Sequence, residues 1–93
     1  MEKYFLGYRR ARHVESQYTE RRNSALISRY YYLSEIKRLR FDDVTSRLAA
    51  TFFLSEGYIM TLLGQSAADF AAICNSRPTR ESLRAEWLEF DWN

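Results

Sequence analysis

Apolar residues recur along this chain at intervals of three and four, the spacing that predicts amphipathic helices. A first helix is expected over Glu2–Glu20 and a second over about Ser24–Leu39. Between them, the side chains of Asn23 and Ser24 can cap the helix that follows, so we expect a break there. Three glycines and one proline are the only strong helix breakers. The pattern therefore predicts an all-α fold, a small helical domain of about five helices.

The most regular part of the pattern runs from Val44 to Leu63, where two short helices and a tight turn are predicted. Asp42 is expected to cap a helix that continues through Thr51. Ser55 has the residue type and the position of a second N-cap, and the helix that it starts would bury Leu62.

This spacing is typical of a helix-turn-helix. The two helices of that motif cross closely, which demands a small residue at the contact, and Ala49 stands there. Leu54, five residues later, would fill the turn, and Ile59, five further on, would pack the second helix against the first. Phe53 stands where the turn normally favours glycine, because that residue often needs a positive φ that bulky side chains avoid. We therefore expect a helix-turn-helix at about residues 42–65, with a longer or differently shaped turn.

The outward positions of the second helix would face the major groove of DNA. Glu56 can accept a hydrogen bond from a cytosine amino group, and Met60 can touch a thymine methyl group. Thr61 and Gln65 can bond to bases, and Gly57 permits close approach. No Lys or Arg lies between residues 55 and 65, which argues against guanine recognition. The candidate base-reading residues are Ser55, Glu56, Gly57, Met60, Thr61, Gly64 and Gln65.

Positive charge is concentrated in the first half of the chain. Residues 1–47 carry eleven Lys/Arg and six Asp/Glu, whereas residues 48–93 carry three and six. Twelve of the fourteen basic residues are Arg, which suits bidentate contact with phosphate. The clusters also have a simpler interpretation as solvated helix surface. The arginines expected to contact DNA phosphates are Arg9, Arg10, Arg12 and Arg47; further basic clusters are Arg21-Arg22 and Lys37, Arg38 and Arg40.

A chain of 93 residues is the length of one domain, so residues 1–93 are expected to form a single helical domain. Pro78 and Thr79 would stop one helix and cap the next. The tail over residues 76–93 is expected to pack back through Trp87 and Trp92, which could alternatively contact another subunit.

Several classes of function find no support in the composition. The single cysteine, Cys74, allows no internal disulfide. One cysteine and one histidine, His13, are too few to form a ligand set for structural zinc. No apolar run is long enough to span a membrane, which implies a cytoplasmic protein. The neighbours Asp42 and Asp43 suit the first turn of a helix better than a catalytic metal site. We expect no cofactor, no small-molecule ligand and no enzymatic activity.

The stretch RYYYLSEIKRLRFDDVTSRLAATFFLSEGYIMTLL, residues 29–63, resembles small helix-turn-helix proteins encoded on bacterial mobile elements of Bacteroides-type genomes, loosely described as transposase-associated. The resemblance extends more weakly to the opening YFLGYRRAR and to the Trp-containing C-terminal end. It implies an all-helical fold and binding to double-stranded DNA.

Two functions therefore stand as expectations. The first is a DNA-binding helix-turn-helix protein that anchors to phosphates through its arginines and works as a dimer, because paired half-sites supply contacts that one small motif lacks. The alternative is a helical protein-interaction or dimerisation module that does not bind DNA. The uncharged second helix and the acidic second half of the chain favour the alternative.

Overall fold

The computed structural model describes residues 18–92, and this part of the chain is all helical, which confirms the expected fold class. Helix α1 is helical from residue 18 through residue 31 and continues as a π-helical segment over Tyr32–Ile36. The four helices that follow are α2 (Phe41–Phe52), α3 (Glu56–Gln65), α4 (Ala67–Ser76) and α5 (Arg80–Glu86).

Helix α1 forms the centre of the fold. Its residues 25–28 are all buried, and four consecutive residues of a helix point in four directions around its axis. The other elements therefore surround α1. The predicted break at Asn23-Ser24 is wrong, because the buried residues that follow hold this part of the chain in one continuous helix.

The three consecutive tyrosines near the end of α1 pack in three directions. The ring of Tyr30 lies 4.8 Å from the ring of Phe70 on α4. The hydroxyl of Tyr31 donates a hydrogen bond to the carbonyl of Pro78 at 3.4 Å. Tyr32 meets Trp92 edge to face, with ring centroids 5.0 Å apart. These rings join α1 to α4, to the loop before α5 and to the C-terminal tail.

Helix α2 begins two residues earlier than the sequence indicates. Its N-cap residue is Arg40, whose side chain makes no capping hydrogen bond. The prediction that Asp42 caps α2 is wrong: Asp42 lies inside the first turn, where its carboxylate accepts a hydrogen bond from the backbone N–H of Asp43 at 3.1 Å. A negative charge at this place still interacts favourably with the helix dipole.

The turn between α2 and α3 is three residues long, over residues 53–55. Phe53 adopts the left-handed conformation, with φ 57° and ψ 43°, and its N–H bonds to the carbonyl of Ala49. The turn thus has the conformation that favours glycine, and the expectation of a different shape is wrong. Leu54 is partly buried against the core, and Ser55 caps α3, as predicted.

The C-terminal residues fold back against α1. Thr79 caps α5 by accepting a hydrogen bond from the N–H of Ser82 at 3.1 Å, which confirms the predicted cap. Trp87 and Trp92 are both buried, and the indole N–H of Trp92 donates to the Trp87 carbonyl at 2.7 Å. These contacts complete one hydrophobic core that contains residues of α1, α2, α3 and α5 together with the tail.

Candidate nucleic-acid interface

Helix α3 buries one side and exposes the other. Ile59 and Leu62 face the core, while the candidate base-reading residues of α3 and its cap are all exposed. Met60 is an apolar side chain with 54% of its surface exposed. The structure therefore brings seven predicted site residues together on the outside of one helix: Ser55, Glu56, Gly57, Met60, Thr61, Gly64 and Gln65.

Two side chains at the beginning of α3 make hydrogen bonds within the protein. The hydroxyl of Ser55 accepts a hydrogen bond from the N–H of Tyr58 at 3.1 Å. Glu56 Oε1 accepts one from the hydroxyl of Thr45 on α2, also at 3.1 Å. The first bond caps the start of α3, and the second connects α3 to α2. Both residues therefore have structural roles that do not depend on DNA.

Gly57 and Gly64 lie on the outer side of α3 without a structural reason to be glycine. Neither has a positive φ, and a Cβ atom added at either position would meet nothing within 4 Å. They are seven residues apart, close to two helical turns, so they share one side of the helix with Thr61 between them. Glycine in the interior of a helix costs about 1 kcal/mol relative to alanine, and Gly57 and Gly64, in the first and last turns of α3, cost up to that amount. The fold loses stability at both positions and exposes bare backbone on this face.

Helix α1 supplies a positive charge beside α3. The guanidinium carbon of Arg22 lies 5.7 Å from the centre of the Tyr58 ring, in the first turn of α3. Two nitrogens of the same guanidinium donate to Asn23 Oδ1, at 3.2 and 3.0 Å. The sequence marks Arg22 as part of a basic pair, but it gives no signal that this residue contacts Tyr58, which is 36 positions away.

Arg47 lies apart from the outer face of α3. Thr45 and Arg47 are two residues apart on α2, which separates them by about 200° around the helix. Because Thr45 contacts α3, Arg47 projects from the other flank of α2. Burial lowers the pKa of Arg29, the charges of Tyr32 and Asp91 raise it, and the charge of Arg47 lowers it. The structure therefore does not group Arg47 with the predicted base-reading residues.

The side chains of Arg9, Arg10 and Arg12 lie outside the described residues. Residues 18–92 carry ten Lys/Arg and ten Asp/Glu, so this part of the chain has no formal net charge.

An exposed ion pair between Arg40 and Asp42, at 3.7 Å, adds little to stability.

An acidic cleft lies on a different side of α1, between α1, α4 and α5. Its volume is about 620 Å³, and the carboxylates of Glu20, Asp69 and Glu86 line it over a floor that includes Ile27 and Ile73. None of the described residues that line the cleft is Lys or Arg. This side of the molecule would repel a phosphate backbone.

Residues 18–92 hold no group of three or more His, Cys, Asp or Glu that could bind a metal ion. None of the helices described is both long and apolar enough to cross a membrane.

Comparison with known proteins identifies no relative: no protein-family model, no curated protein and no solved structure matches the chain.

Proposed function

We propose that this protein binds double-stranded DNA and that the outer face of α3 enters the major groove, with α2 and α3 acting as a helix-turn-helix. The observation that carries the proposal is the pair Gly57 and Gly64. Both lower the stability of α3, and neither is required by packing or by the backbone. Bare backbone on an exposed helix face is useful where another molecule must approach closely.

Side chains that can touch base edges surround the two glycines. Thr61 and Gln65 carry polar groups for hydrogen bonds, and Met60 offers an apolar contact for a thymine methyl group. The hydroxyl of Thr61 donates to the carbonyl of Gly57 at 3.2 Å, which leaves its oxygen able to accept. Glu56 is the charged residue of this set, and its bond to Thr45 draws it toward α2.

Arginines supply the phosphate contacts in this proposal. Arg22 lies beside the first turn of α3. It replaces Arg47 as the arginine that contacts phosphate next to α3. Arg9, Arg10 and Arg12 add the positive charge that residues 18–92 lack as a whole. The resemblance to small helix-turn-helix proteins of bacterial mobile elements supports the same function, and we propose that the protein serves such an element in the cytoplasm.

The test is fluorescence anisotropy with a labelled random-sequence duplex at low salt. We expect binding with a dissociation constant below about 100 μM, the weak end of nonspecific affinity. Changing Arg9, Arg10 and Arg12 together to Ala should reduce the slope of log K against log salt by about 2 to 3, because each phosphate contact contributes about 0.9. Absence of binding up to about 100 μM would contradict the proposal.

A second candidate function is a protein-interaction module that does not bind DNA. It is favoured by the absence of Lys and Arg from α3 and by the exposure of Tyr58 and Met60, which are 43% and 54% exposed. Aromatic and Met side chains are enriched in protein interfaces. If the duplex does not bind while the protein self-associates or binds a partner through α3, this candidate replaces the first.

A further inference from the structure

Phe53, in the turn between α2 and α3, is both strained and exposed. Its φ of 57° is a conformation that bulky side chains rarely adopt, and 92% of its surface is open to solvent. A non-glycine residue in this region costs about 1 kcal/mol or more. The fold gains almost no burial from the ring in return, so the aromatic side chain at this position is unexplained within one copy of the chain.

An apolar groove begins at the neighbouring residue. Phe52 lines it together with Ala25, Trp87 and Phe90, and its volume is about 250 Å³. The rings of Phe52 and Phe90 are 5.5 Å apart and form one wall. Phe53 directly follows Phe52, so its Cα atom lies about 3.8 Å from that of a residue in the wall of the groove.

The rim of the groove carries three charged residues, Arg21, Arg22 and Glu89. Arg21 Nη2 lies 3.7 Å from Glu89 Oε2, and the guanidinium carbon of Arg21 lies 4.8 Å from the centre of the Trp87 ring. The side chains of Arg21 and Glu89 are both more than half exposed, so each can exchange this weak pair for the same pair with another molecule. A two-fold interface needs a self-complementary surface, and this one offers a projecting ring with an apolar recess and an arginine with a glutamate.

We propose that two copies of this chain pair about a two-fold axis, with Phe53 of each copy inserted into the groove of the other. Arg21 of one copy then faces Glu89 of its partner on both sides of the axis. The ring of Phe53 gains the burial that it lacks in one copy, and the apolar groove is removed from water. This pairing uses the α2–α3 turn and the tail, and it does not require DNA.

Sedimentation equilibrium of the full chain without DNA tests the pairing, over concentrations from about 10 μM to about 1 mM. We expect a monomer–dimer equilibrium for the wild type. Phe53→Ala and Phe53→Gly should each raise the dissociation constant at least tenfold. Phe41→Ala is the matched control, because Phe41 is also an exposed aromatic residue but does not line the groove, and it should leave the constant unchanged.

Charge exchange at the rim gives a second test in which the aromatic residues stay in place. Glu89→Arg alone and Arg21→Glu alone should each weaken the dimer, whereas an equimolar mixture of the two variants should form a mixed dimer. A wild type that stays monomeric throughout the range would overturn the pairing. So would a dimer that Phe53→Gly leaves intact, or a mixture that associates no better than either variant alone.

Discussion

The hydroxyl of Thr45 on α2 donates a hydrogen bond to Glu56 Oε1 at the start of α3, at 3.1 Å. Thr45 is buried, and its hydroxyl also lies 3.1 Å from the carbonyl of Asp42, so one proton is shared between two acceptors. The bond connects the two helices that form the candidate interface. It also gives Glu56 a structural role that does not depend on the cytosine contact suggested by the sequence.

The first prediction separates these two roles of Glu56. Glu56→Gln keeps an acceptor oxygen but removes a negative charge from the proposed DNA face, so we expect tighter binding of a random duplex at low salt. The gain should shrink as salt is added, because exposed charges are screened. Glu56→Ala should lower the free energy of unfolding by up to about 1 kcal/mol, because the Thr45 hydroxyl loses one of its two acceptors. If Glu56→Gln weakens DNA binding, Glu56 contacts a base and the structural role is insufficient.

The second prediction concerns the two exposed glycines of α3. Gly57→Ala and Gly64→Ala should each raise the free energy of unfolding by about 0.5 to 1 kcal/mol, measured by urea denaturation, because both added methyl groups enter open space. Each should weaken DNA binding about tenfold, because the methyl group prevents close approach. The control is Asn75→Ala, an exposed change on α4 that also improves helix propensity. Glycine variants that bind DNA as well as this control would show that α3 needs no bare backbone.

The third prediction concerns the attachment of the tail to α1. Trp92 is 1% exposed, donates a hydrogen bond to the Trp87 carbonyl and packs on Tyr32, with Arg29 against both rings. Trp92→Ala should lower the free energy of unfolding by about 3 to 5 kcal/mol, measured by urea denaturation. Trp92→Phe keeps a ring but loses the N–H, so it should cost less, about 1 to 2 kcal/mol. Equal losses for the two variants would contradict a role for the ring.

The fourth prediction concerns alkaline pH. Burial raises the pKa of Tyr30 above its ordinary value of 10.0, and the negative charges of Glu35 and Cys74 raise it further. Because the pKa is higher in the folded chain than in the unfolded chain, the stability that Tyr30 contributes is complete below pH 10 and is lost as the pH rises through the folded-state value. Tyr30→Phe should therefore lose less stability than the wild type between pH 9 and pH 11, measured by urea denaturation at each pH. Parallel pH profiles for the two proteins would contradict the raised pKa.

Local signals in the sequence predict much of this fold. Ser55 and Thr79 cap helices as expected, because a cap depends on one side chain and the few residues after it. Ile59 and Leu62 are buried as the helical spacing of α3 requires. The seven candidate residues of α3 could be grouped for the same reason, since one helix with one buried side fixes which residues face outward.

The remaining features depend on contacts between distant parts of the chain. Asn23-Ser24 has the composition of a break, but the burial of the residues that follow, 25–28, keeps the helix continuous. Phe53 adopts the left-handed backbone conformation that favours glycine. The packing of α2 against α3 determines this turn and overrides the preference of a bulky residue for negative φ. The contact between Arg22 and Tyr58 joins α1 to α3, and the pattern of either helix alone could not reveal it.

The most direct test of the proposed function adds one negative charge at the centre of the α3 face. Thr61→Glu places that charge between Gly57 and Gly64, and Ala85→Glu places the same charge on the exposed side of α5. Circular dichroism confirms the fold of both variants, and anisotropy with a labelled random duplex at low salt measures their binding. We predict that the wild type binds below about 100 μM, that Thr61→Glu binds at least tenfold more weakly, and that Ala85→Glu binds nearly as well as the wild type. No binding by the wild type, or equal losses in the two variants, would contradict DNA binding through α3.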